Sequence, residues 1–178
     1  MKELVSTVFK NAFMHVSMVT NKTFSEGSNF ITFGRNKTKH GAIIIPVDST
    51  GKVTLIKEYR IGADVSVVGV PKGAADTESE SAESIASREL SEELGMTFSG
   101  LKSTGLKVYP LPAFADFWGE VVVATGVEVV KNPELEDGEC IQEFGKFSQD
   151  ELKDLLKQGV INDAESVAAI QHYLLFEQ

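Results

Sequence analysis

The segment Arg88-Glu-Leu-Ser-Glu-Glu-Leu-Gly95 restricts the possible folds of this chain more than any other. On a helix, positions i, i+3 and i+4 share a face, so Glu89, Glu92 and Glu93 present three carboxylates within one turn. Leu90 and Leu94, with Ala86, lie about 100° round the axis and can bury against a sheet. Gly95 supplies a cap that stops the helix. A helix is therefore expected between Asp76 and Gly95, apolar towards a core and with its acids exposed. Each like-charged pair at this spacing costs about 0.2–0.5 kcal/mol, and Arg88 can serve Glu92 at i+4 but cannot balance all three acids. A hard divalent cation can, because Mg²⁺ prefers carboxylate oxygens and keeps positions for water and phosphate oxygens. A chance match to this order of residues has a probability on the order of 10⁻⁴, which argues against a merely solvated acidic face.

Around this helix the pattern is mostly strand. Two alternating stretches before residue 38, AFMHVSMV and NFITFGR, predict an antiparallel N-terminal strand region too small to stand alone. AIIIPV and VTLIKEYR, joined by a turn at Asp48 to Gly51, predict a hairpin, and VSVVGV continues the apolar density up to Pro71. LKSTGLKVY, FWGEVVVATGVEVV and IQEFGKF read as further strands. Ser148 and Glu151 form a capping-box pattern ahead of one helix, and a last helix runs roughly from Asp163 to Phe176. This mixture lacks βαβ regularity and favours an α+β fold or a helix–sheet–helix sandwich over a doubly wound one.

With 178 residues the chain suits one core plus a small appendage: a strand region over 1–38 and a catalytic domain over 39–178. The formal charge of −9 excludes a tracker of nucleic-acid backbones, though an acidic protein still binds phosphates through a divalent cation. No run of 18 apolar residues exists, and Lys10 and Asn11 break the N-terminal apolar stretch, so no membrane partner and a cytoplasmic location are expected. The single cysteine, Cys140, cannot form an internal disulfide.

The segment resembles the signature of the Nudix hydrolases: Gly, five residues, Glu, seven residues, then Arg-Glu-aliphatic-any-Glu-Glu-any-Gly-aliphatic. Glu80 stands at the required spacing before Arg88, and Met96 fills the last apolar place. Six residues separate Gly73 from Glu80 where the family has five, so either the loop carries an insertion or Ala74 replaces the glycine. The likeness covers about residues 38–176 and is nearest to the ADP-ribose pyrophosphatase and ADP-compounds hydrolase subgroup. It implies a Nudix-type α/β/α sandwich with a mixed sheet. It also implies Glu89 and Glu93 as principal metal ligands, Glu92 as a supporting one, and the backbone carbonyl of Lys72 as a further contact. Arg88 and Glu80 orient the acids.

The resemblance also makes Arg60, at the end of the Tyr-Arg pair, a substrate contact. Pro112 falls sixteen residues after Met96, a spacing similar to that of the ADP-ribose-cleaving subgroup, and Phe114 could stack on a base or ribose. Val67 departs from the glutamate usual in these enzymes. The general base is expected in the acidic stretch 134–143, with Glu139 matching best and Glu136 in reserve.

The implied reaction is Mg²⁺-dependent (or Mn²⁺-dependent) cleavage of a diphosphate linkage in ADP-ribose or a related ADP compound, giving AMP and a phosphorylated product. Dinucleoside polyphosphates, NADH and other nucleotide sugars remain alternative substrates, and a non-catalytic nucleotide sensor is the reading from another class. The N-terminal strands resemble the region that pairs subunits in ADP-ribose pyrophosphatases, which implies a homodimer.

Overall fold

The computed structural model describes residues 2–21, 28–135 and 140–177. The chain opens with β1 (Lys2–Lys10), β2 (Met14–Asn21) and β3 (Phe30–Arg35), paired antiparallel in that order as a three-stranded sheet. The two stretches expected from alternation are β2 and β3, whereas β1 is an addition. From Glu3 to Lys10 its side chains are all exposed, so no buried face marks it in the sequence; pairing with β2 holds it. Asn11 makes the turn between them, its Oδ1 accepting the N–H groups of Phe13 and Met14 at 2.9 and 2.7 Å.

The main sheet draws on β4 (His40–Val47), β5 (Val53–Arg60), β6 (Val65–Gly69) and β7 (Lys72–Ala74), which precede α1 (Ala82–Leu94). After the short β8 (Met96–Thr97) come β9 (Gly100–Val108), β10 (Trp118–Thr125), β11 (Glu128–Val129) and β12 (Ile141–Phe147). The helices α2 (Gln149–Lys157) and α3 (Ala164–Phe176) close the chain. The sheet runs β12-β5-β4-β10-β9, with β6 on β5 and β7 on β4; β4 and β10 are parallel and the other pairs antiparallel.

The expected hairpin of β4 and β5 is present, but the two strands bond only at its mouth, Val47 to Val53. Beyond it they part, β5 continuing on β6 and β4 on β7. This divergence lets β7 lie against the middle of the fold, where Ile44 donates to the carbonyl of Pro71 at 3.0 Å.

Alternation along β4 divides the core. Ile43, Ile45 and Val47 pack with Leu152 of α2 and Ile170 of α3, while Ala42 and Ile44 pack with Ile85, Ala86 and Leu90 of α1. Val121 and Val123 of β10 join the first group, Val122 and Ala124 the second. The result is the anticipated α+β sandwich, helices on both faces of a mixed sheet whose central strands read as continuous apolar runs.

The first helix begins at Ala82 rather than near Asp76. Ser81 caps it, its Oγ accepting from Ser84 N–H at 3.1 Å, and Gly95 ends it at φ 61°. Residues 76–80 instead form a tight loop, closed where Glu80 Oε2 accepts from Asp76 N–H at 2.7 Å. Short polar side chains in this stretch favour caps and turns because they compete for backbone hydrogen bonds.

Candidate active site

Two of the three acids of α1 are not on an open face, contrary to expectation: Glu89 is 7% exposed and Glu93 5%, while Glu92 stays partly exposed. The reason is tertiary. Strand β7 runs so close to the helix that a Cβ on Gly73 would overlap the Glu89 carboxylate. The chain after β11 crosses the helix end, with Glu134 N–H donating to the carbonyl of Glu92 at 2.8 Å. Gly73 is the residue that makes this close approach, and residues 74–80 connect it to Ser81 at the start of the helix.

Arg88 organises the acid set. Its Nη1 donates to Glu89 Oε1 at 2.6 Å and Glu92 Oε2 at 3.2 Å, and Nη2 to the carbonyl of Ala74 at 2.7 Å. Its Nε lies 3.7 Å from both Asp76 and Glu80. Burial opposes the guanidinium charge, but Glu89, Glu92 and Glu80 outweigh it and hold the group above its ordinary pKa. One cation thus faces several carboxylates in a partly desolvated place, leaving negative charge in excess.

This chemistry suits a hard divalent cation: carboxylate oxygen donors and surplus negative charge packed against the β7 backbone, where Gly73 leaves room for the Glu89 carboxylate. Among the described residues no three acidic, histidine or cysteine side chains already form a cage. Lys72 sits next to Gly73 in β7, and its amino group is turned away to α3. Its Nζ lies 2.7 Å from Asp163 Oδ2 and 3.4 Å from Glu165 Oε2. Burial would raise the Asp163 pKa, yet Lys72 and the Ser166 hydrogen bonds outweigh that and hold it below the ordinary value.

Beside the acids opens a cleft of about 370 Å³ lined by Arg35, Arg60, Lys72, Gly73, Phe117 and Trp118 among others. Gly73 belongs to both features, touching Glu89 on one side and the cleft on the other. Arg60 lines this cleft, its Nη2 2.7 Å from Glu58 Oε2. Arg35, at the end of β3, was not anticipated; its guanidinium lies 4.8 Å above the Phe117 ring. The signal that could have found it is the one that picks out Arg60, an arginine closing an apolar strand. Pro112 and Phe114 are exposed on the loop before β10 and lie outside the lining of this cleft. The Phe114 carbonyl accepts from Phe33 N–H at 2.8 Å, tying that loop to β3, and Phe117 and Trp118 supply the aromatic wall. Glu136 and Glu139 fall outside the described residues.

Residues 37–170 match the NUDIX domain, and the chain belongs to this family. It is a Nudix pyrophosphatase, a hydrolase of acid anhydrides. It is similar to the ADP-ribose pyrophosphatase of Bacillus subtilis (strain 168), with 33% identity over 147 residues that cover 80% of this chain and 77% of the relative. The ADP-ribose pyrophosphatase of Mycobacterium tuberculosis (strain ATCC 25618 / H37Rv) is 27% identical over 146 residues, 81% of this chain and 69% of that one. In three dimensions the chain is similar to the crystal structure of ADP compounds hydrolase, with a TM-score of 0.73 at 25% identity over 99% of this chain and 90% of the other. Pyrophosphatases of this group generally use divalent metal ions. Among the described residues no helix is long and apolar enough to cross a membrane.

Proposed function

We propose that this chain hydrolyses the diphosphate linkage of ADP-ribose or a related ADP compound, with Mg²⁺ (or Mn²⁺) as cofactor, to AMP and a phosphorylated product. The observation that carries the reading is the junction at Gly73, where a buried acid set meets a cleft bearing arginines and aromatic rings. Glu89, Glu93 and Glu92 would hold the cation with the Lys72 carbonyl, and Arg88 keeps the acids in register. When bound, the metal supplies charge neutralisation on phosphoryl oxygens and lowers the pKa of a water. Arg60 and Arg35 are suited to the substrate's phosphate oxygens, because a guanidinium matches them with paired donors. Phe117 and Trp118 offer rings for a base or ribose. Phe114 and Pro112, exposed on their loop, are assigned to the outer part of the substrate. Glu139 is the proposed general base, with Glu136 as its alternative.

The strand region 1–38 is proposed to pair two copies of the chain, and the enzyme to work in the cytoplasm. The test is product release from ADP-ribose, NADH, diadenosine triphosphate and nucleotide sugars, with Mg²⁺ and with chelator, on wild type and Glu93→Gln. Cleavage of ADP-ribose that needs metal and falls by at least about 10³-fold in the variant is expected. Nucleotide binding without turnover on any compound would sink the hydrolase reading in favour of a sensor.

A further inference from the structure

A groove of about 600 Å³ lies between the N-terminal sheet and the main domain, and its charge runs against that of the chain as a whole. The protein carries −9, yet the groove is lined by Lys10, Arg35, Lys39 and His15, with Asp116 the one carboxylate of the lining. Asp116 is engaged by Lys39 at 3.2 Å. Three permanent cations therefore share one acid.

The floor of the groove is specifically built. A Cβ on Gly34 would collide with the Asp116 carboxylate and lie 2.8 Å from His15 Cε1, so this strand position must be bare for the two to converge. Asn36 Nδ2 donates to the carbonyl of Asn11 at 2.6 Å, which leaves its Oδ1 to accept from His15 Nδ1 at 3.1 Å and sets the ring. Arg35 separates this groove from the active cleft and lines both. No ion pair to its guanidinium is found among the described residues. Burial weakens its charge, Glu165 supports it, and Arg60 opposes it. A partly desolvated cation with so little compensation favours an incoming anion.

We infer that this groove is a second ligand site, one that takes a phosphate monoester on Lys10, Arg35 and Lys39 without a metal ion. Lysine and arginine donors match the several acceptors of a dianionic phosphate, and the acid-lined metal site offers no such donor set. The groove has room for more than a phosphate group, which favours a nucleoside monophosphate over free phosphate. A bound monoester would draw on the guanidinium that the active cleft also uses, so the two sites are expected to oppose each other.

The test is calorimetric titration of the full chain in EDTA with inorganic phosphate and, separately, with AMP. No metal and no turnover are involved, so the outcome does not depend on catalysis, and AMP held in the active cleft instead is distinguished by loss of binding in Arg60→Ala. Saturable binding is expected, weakened about tenfold in Lys10→Ala/Lys39→Ala and by added salt, and unchanged in Arg60→Ala. Both lysines are exposed, so the double variant should keep its fold. Tighter binding of AMP than of phosphate would identify the nucleotide as the source, and equal binding would identify the phosphate group alone. Absence of saturable binding to wild type, or binding lost in Arg60→Ala but untouched in the double lysine variant, would overturn the inference.

Discussion

At Gly73 the absence of a side chain does two things: it lets β7 lie against Glu89, and it leaves the wall of the cleft open. Gly73→Ala is therefore expected to force β7 and the helix apart, at a cost of about 1–3 kcal/mol in stability. A displacement of this kind beside the acid set should lower kcat/KM by about 10²-fold. Thermal unfolding and turnover on one preparation check both, and wild-type turnover in the variant would show that the close approach does not matter. The identity of the acids was legible from spacing alone, since Glu89, Glu92 and Glu93 must share a helical face whatever surrounds them. Their burial was not. It depends on β7 and the chain after β11, which are remote in sequence and reach the helix only through the sheet.

Among the elements, helix starts and stops followed closely from local chemistry. Ser148 and Glu151 form the full capping box, with Ser148 N–H donating to Glu151 Oε2 at 2.7 Å. Ser148→Ala should lower stability by about 1 kcal/mol and leave turnover alone, because α2 packs on the sheet face opposite α1. Denaturant midpoints and a steady-state assay measure the two. Helix α3 starts at Asp163, which serves both as its cap and as the partner of Lys72. Both side chains are largely buried, so Asp163→Asn should cost on the order of 3 kcal/mol at neutral pH. The folded-state pKa of Asp163 lies below the ordinary 3.8, so its contribution is complete above that value and is lost as pH falls through the lower one. The gap between wild type and variant should thus stay constant down to about pH 4 and close in more acid solution, as read from urea midpoints. A gap unchanged well below pH 3 would mean that the pair contributes no charge-dependent stability. Strand β1 escaped notice because a fully exposed strand carries no burial signature, and the parting of β4 from β5 depends on which later strands claim their edges.

For the whole molecule, the exposed apolar face of the N-terminal sheet bears on assembly. Val5, Val8, Phe9, Phe13 and Ile31 are each at least half exposed there, more apolar surface than an isolated small sheet keeps in water without a partner. A homodimer is expected, with sedimentation at micromolar concentration giving twice the chain mass, and Phe9→Ser/Ile31→Ser shifting it towards monomer. A monomeric wild type would remove the expectation. Sequence by itself determined the acid-bearing helix, its caps, the order of most strands and the sandwich class, because helical and strand periodicity, turn chemistry and capping act over a few residues. Only the tertiary structure decided that Glu89 and Glu93 are buried, that Gly73 lies against the Glu89 carboxylate, and that Arg35 stands between two clefts. These depend on contacts between segments tens of residues apart, and local physical chemistry does not specify which distant strand arrives beside which helix.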